Sequence, residues 1–180
     1  MALRYAAFRR ALEAAPLPAF VVDRDAFDRN VERVASRVRR AGRTMRIASK
    51  SVRVPALLRR ILDRAGPVAQ GLLCYSAREA AFLASLGFDD LLVAYPAWQA
   101  ADLDAAAATV ARGVRLRMAV DSEESLVRLG VFGTKHGVVM PAVLCVDMSL
   151  AALGGRVHLG VRRSPLHAPA QVAALVGRAR

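Results

Sequence analysis

Two primary amines stand out in a chain whose positive charge is otherwise carried by arginine. Of 27 basic residues only Lys50 and Lys135 are lysines. A guanidinium stays charged and cannot condense with a carbonyl group, whereas an ε-amine that loses its proton forms a Schiff base. A lysine in such a background is therefore a candidate nucleophile. Lys50 lies in MRIASKSVRVPALL, residues 45–58. Met45, Ile47 and Ala48 read as a short strand ending at Ser49-Lys50-Ser51, and Pro55 opens a helical pattern through Leu57, Leu58, Ile61 and Leu62. Lys50 thus stands at the carboxyl end of a strand, where parallel α/β proteins bind ligands and carry catalytic groups. Position and composition alone equally allow an ordinary loop-end cation. Lys135, in GTKHG with no strand before it, reads as a turn residue.

Tyr75, Tyr95 and Asp147 each fall at the carboxyl end of an apolar run, so they are expected at the same mouth; each also fits a packing or loop-anchoring role. His136 and His167 have no partners at metal-ligand spacing, and no metal site is expected. Cys74 and Cys145 lie inside apolar runs and read as small buried hydrophobes without a disulfide framework.

The elements that must position these groups recur with a regular period. A helix over residues 3–15 leads in, followed by a strand at 19–23 (AFVVD) and a helix with Phe27, Val31, Val34 and Val38 on one face, stopped by Gly42. Strands are predicted at 45–48, 70–75, 91–95, 115–120 and 142–148. Helical patterns separate them, one of them opened by Ser76 and Glu79 and another by Asp121 and Glu124 as capping boxes. Residues 130–137 read as a glycine-rich turn. Gly154 and Gly155, an apolar strip at 157–161 and a helix starting near 170 complete the chain. Six near-continuously apolar strands about every 25 residues imply an α/β fold with a parallel sheet. A closed (β/α)8 barrel needs eight such units and about 250 residues, so this is about six βα units of one; an open doubly wound sheet has the same periodicity.

The totals agree with one domain over residues 1–180, with 55% hydrophobic residues and few aromatics. The net charge of +12 comes from arginines scattered over helix faces without interleaved aromatics, so no specific nucleic acid is expected as a partner. No run is long enough to span a membrane and the arginine-broken start is no secretion signal, which points to the cytoplasm.

LPAFVVDRDAFDRNVERV, RIASKSVRVPALLRRIL, GFDDLLVAYP and RVHLGVRRSP, in that order, resemble the amino-terminal barrel domain of the alanine racemase superfamily, the fold-type III pyridoxal-phosphate enzymes. The resemblance is nearest to the branch of D-threonine aldolase, D-serine dehydratase and amino acid deaminase/aldolase proteins. It implies an incomplete TIM-type barrel and pyridoxal 5'-phosphate as cofactor, with Lys50 as the Schiff-base lysine and proton carrier. It also implies partial desolvation of Lys50 and a small amino acid substrate, a D-amino acid or 3-hydroxy amino acid, undergoing deamination or aldol cleavage. In RVHLGV, His158 stands where the family commonly has an arginine that contacts the cofactor's phenolic oxygen; histidine would donate more weakly and in a pH-dependent way. Tyr75, Tyr95 and Asp147 join the cofactor-binding candidates, and Arg162 and Arg163 are candidates for anion contacts. The strands that usually grip the phosphate, and the β-rich second domain that brings a divalent metal in that branch, are not in this sequence. The resemblance therefore implies a truncated chain or fragment, or a homodimer that covers the gap. Two rivals remain: a single-domain pyridoxal phosphate homeostasis or carrier protein, and a cofactor-free anion- or RNA-binding α/β domain.

Overall fold

A computed structural model describes residues 2–152 and 156–179. Helix α1 (Ala2–Leu12) precedes α2 (Arg24–Arg40), and then strands and helices alternate. They are β1 (Met45–Ala48), α3 (Pro55–Ala65), β2 (Ala69–Cys74), α4 (Ala77–Ser85), β3 (Leu91–Val93), α5 (Ala100–Ala111), β4 (Leu116–Val120), α6 (Glu123–Lys135) and β5 (Ala142–Leu144). A hairpin of β6 (Leu150–Ala152) and β7 (Val157–Leu159) follows, then α7 (Pro169–Arg178).

Strands β1 to β5 are all parallel and lie side by side in chain order. A doubly wound sheet would reverse its strand order at a switch point; consecutive order is the winding of a barrel wall. The fold is therefore a partial (β/α)8 barrel. One sheet face is covered by the helices: Leu72, Cys74, Leu91, Val93, Leu116, Met118 and Val120 meet Leu58, Leu83, Leu103 and Leu129 in one core. Each of these leucines is nearly water-free, and burying such a side chain stabilises the fold by about 2 kcal/mol. In α3 the buried Leu58, Ile61 and Ala65 recur at helical spacing, which is why this segment is a helix with one face on the sheet.

The other sheet face carries Arg46, Leu92, Arg117 and Val143, which line an open cavity of about 790 Å³ with Asp90. Asp90 anchors its centre. Its carboxylate accepts from Arg46 at 3.0 Å and Arg117 at 2.5 Å, while its carbonyl accepts from Arg46. Asp90 also has a left-handed backbone, φ 54°. Opposite it, Gly71 (φ 64°) has no side chain because a Cβ there would lie 1.9 Å from the Asp90 carbonyl oxygen. Only glycine permits that approach at that angle.

Several sequence expectations are corrected. Residues 19–23 form no strand; Phe20, Val21 and Val22 are exposed. An apolar run without a neighbouring strand leaves a backbone with no ladder to join, so the sheet has five of the six expected strands. Residues 130–137 are not a glycine-rich turn: α6 runs through Gly130 and Gly133 to Lys135. Gly133 sits against the Val138 carbonyl, a close approach that favours glycine inside the helix. Lys135 is consequently a helix-terminal residue. The cap of α6 is Ser122 with Ser125, not Asp121 with Glu124. The strand expected at 142–148 stops at Leu144, and the strip at 157–161 becomes one arm of an antiparallel hairpin. Gly154 and Gly155 lie outside the described residues. Among the described residues no helix is long and apolar enough to cross a membrane.

Candidate active site

Lys50 sits in a single 3-10 turn, Ser49–Ser51, directly after β1. The turn is pinned from both sides. The Ser49 hydroxyl, almost fully buried, donates to the Leu73 carbonyl of β2 at 3.2 Å. The amides of Val52 and Arg53 both donate to the Ser49 carbonyl, at 3.0 and 2.8 Å. Pro55 then begins α3, where its missing N–H costs nothing. Buried serine and proline thus fix the exit of the chain and leave Lys50 projecting at the carboxyl rim.

Two tyrosines reach the same rim. The Lys50 ammonium lies 5.9 Å from the centre of the Tyr95 ring, and Tyr75 meets Tyr95 edge to face at 5.6 Å. Lys50, Tyr75 and Tyr95 therefore come together across the ends of β1, β2 and β3. Lys50 and Tyr75 also line a cleft of about 380 Å³ with Arg53 and Glu79, floored by Leu58 and Leu83. Ser76 caps α4 by accepting from the Glu79 amide at 3.2 Å. The Glu79 carboxylate accepts from the Tyr75 amide at 2.6 Å, one residue before the cap position anticipated for it. Arg53 and Glu79 as cleft residues escape a search for strand-end groups because one lies in the turn beyond and the other in a helix. A cation three residues after Lys50 and just before a helix-opening proline was the available signal for Arg53.

The two lysines differ in their surroundings. Lys135 is tied to Asp104 at 2.6 Å, and His136 shares the same carboxylate oxygen at 2.9 Å. Those bonds hold the Asp104 carboxyl below its ordinary range, the Lys135 bond being the larger cause. Among the described residues the Lys50 amine has no carboxylate partner. It is exposed, in contrast to the desolvation expected for it.

Asp147 and His158 form a separate group. Asp147 accepts from the Ser149 amide at 2.7 Å, and its own amide donates to the Leu166 carbonyl at 2.7 Å. Hydrogen bonds from Ser149, with His158 and His167 nearby, hold its carboxyl below the ordinary range. His158 pairs with Ala151 in the hairpin, and its Nδ1 accepts from Arg162 at 3.4 Å. Its Nε2 is buried without a partner among the described residues, a donor or acceptor that a bound polar group would satisfy. Arg162 and Arg163 are both exposed. Of the two cysteines, Cys74 is buried as expected and Cys145 only partly so.

The residues present are compatible with the carbonyl end of pyridoxal phosphate: a primary amine with no acid partner among the described residues, beside a pair of phenol rings in mutual edge-to-face contact.

The fold is similar to D-threonine aldolase from Filomicrobium marinum, with a TM-score of 0.73 and 22% identity over 91% of this chain and 41% of that one. It is also similar to D-threo-3-hydroxyaspartate dehydratase from Delftia sp. HT23, with a TM-score of 0.70 and 24% identity over 92% of this chain and 40% of that one. A C353A mutant of D-threo-3-hydroxyaspartate dehydratase in the metal-free form gives a TM-score of 0.70 and 25% identity, with the same coverage of each chain. No curated protein matches. The chain thus spans about two fifths of the length of these solved relatives. Residues 22–174 match the family described as alanine racemase, N-terminal domain, and with that match covering most of its length the chain belongs to that family.

Proposed function

We propose that this chain carries the lysine-bearing part of a pyridoxal 5'-phosphate site for amino acid chemistry, with Lys50 as the residue that binds the cofactor's aldehyde. The observation that carries this reading is the contrast between the two amines. Lys135 is neutralised by Asp104, while Lys50, with no acid partner among the described residues, projects over Tyr95 at the carboxyl rim. When bound, the cofactor accepts the electron pair left at the substrate's α carbon. The chain's part is positional: Ser49 fixes the turn, Tyr95 bounds the space over the amine, and Lys50 gives or takes the proton at the α carbon. His158 would offer its Nε2, which has no partner among the described residues, to the cofactor's phenolic oxygen. The substrate is a D-amino acid or a 3-hydroxy amino acid undergoing deamination or aldol cleavage, a reading supported by the names of the two similar enzymes. Against specific nucleic-acid binding, the arginines are scattered over helix faces without interleaved aromatics, and some are engaged by carboxylates, as in Arg60 and Arg64 with Asp28 and Arg115 with Asp89.

Mixing the protein with pyridoxal phosphate, reducing with borohydride and mapping the labelled peptide tests the assignment. Label at Lys50 and a visible absorption band that disappears in Lys50→Arg are expected; label at Lys135 alone, or none, overturns it. Candidate D-amino acids are then added and ammonia, keto acid and aldehyde assayed. Labelling of Lys50 with no turnover would identify a carrier instead.

A further inference from the structure

We propose that Arg53 is the anion-binding residue of the Lys50 cleft, holding a phosphate or carboxylate group on the compound whose carbonyl meets Lys50. This rests on Lys50 being the reacting amine. Arg53 lines the same cleft as Lys50, and its position is built. The backbone is left-handed there, φ 53°, and is held by its amide on the Ser49 carbonyl. Its Nε donates to the Lys50 carbonyl at 3.2 Å. The guanidinium is thereby anchored to the turn that carries the amine, with its two terminal nitrogens uncommitted: among the described residues Arg53 has no carboxylate partner. Arg46 and Arg117, by contrast, are both committed to Asp90.

The one acid lining the cleft, Glu79, is occupied by the Tyr75 amide. Two unpaired cations against one engaged carboxylate give the cleft a positive balance, and a planar guanidinium matches an oxyanion with two parallel donors. The apolar floor of Leu58, Leu83 and Phe82 accommodates the uncharged part of such a ligand.

Paired aldehydes that differ only in the anion provide the test. Lys50 is labelled with pyridoxal 5'-phosphate or pyridoxal, and separately with glyoxylate or glycolaldehyde, in wild type, Arg53→Gln and Arg53→Lys. In each case the ε-nitrogen bonds to the aldehyde carbon with loss of water, and borohydride delivers hydride to that carbon. A guanidinium contact at an exposed site should favour the anionic aldehyde about tenfold, a preference lost in Arg53→Gln, partly kept in Arg53→Lys and weakened by salt. A change confined to the pyridoxal pair assigns the anion as phosphate, and one confined to the glyoxylate pair as carboxylate. Unaltered ratios in both pairs, with Lys50 still labelled, overturn the role of Arg53 alone. Wild type unlabelled at Lys50 by every aldehyde overturns this proposal together with the Lys50 assignment. Thermal melts of the variants separate misfolding from loss of the contact.

Discussion

Replacing Asp90 with asparagine isolates the charge network on the open face of the sheet. Asparagine keeps the shape and tolerates the left-handed backbone, so the change removes charge with little strain. The Asp90 side chain is 15% exposed, between Arg46 at 24% and Arg117 at 41%. Breaking a fully buried pair costs about 3–5 kcal/mol. With Arg117 this wet, and with the Arg46 bond to the Asp90 carbonyl untouched by the substitution, the loss should be about 2 kcal/mol. For a chain of this length that is a fall in Tm of roughly 4–8 °C. Burial alone would raise the Asp90 carboxyl, but the bonds from Arg46 and Arg117 outweigh it and the net direction is down. A lowered native pKa stabilises the folded state above the unfolded value of about 3.9, and that stabilisation disappears as pH falls through the native pKa. The wild type should therefore melt above Asp90→Asn at neutral pH, and the gap should close in acid below about pH 3.9. Calorimetric melts at several pH values measure both. Equal Tm values at neutral pH, or a gap that persists unchanged into acid, would refute the reasoning.

Gly71→Ala should cost more, about 3 kcal/mol, because its Cβ would collide with the rigid Asp90 carbonyl at a backbone angle alanine resists; urea melts with a midpoint like wild type's would sink this. Ser49→Ala removes the bond to the Leu73 carbonyl and should lower stability by about 1 kcal/mol, read from the same melts. Burial, followed by the charge of Glu79, pushes the Cys74 thiol up to about 12. Iodoacetamide near neutral pH should accordingly alkylate Cys145 first and Cys74 only after denaturation, with peptide mapping to check the order.

The barrel wall is legible in the sequence because parallel strands covered by helices are apolar along their length, and 70–75, 91–95 and 115–120 read that way without ambiguity. Residues 19–23 read equally well, yet no strand stands beside them; a local pattern records the face a segment could bury and not whether a partner exists. Gly130 and Gly133 mislead in the opposite sense, since a glycine that lets another chain segment close in looks locally like a break. Lys50 is visible through its chemistry and its place after β1. Of its cleft neighbours, Arg53 is local to the same turn, whereas Glu79 is not legible, because α4 comes to Lys50 only through the pairing of β1 with β2.

The two borders of the five-stranded sheet are protected to different degrees. β1 is short, carries a register irregularity between Met45 and Ile47, and aims Arg46 across the open face, three features that discourage an intruding strand. Among the described residues β5 has only its brevity: Ala142 and Val143 are exposed and uncharged. Unwanted strand pairing between copies during concentration or refolding would begin on that side. A lysine or glutamate at Val143 is the substitution that would equalise the borders without touching the rim that carries Lys50.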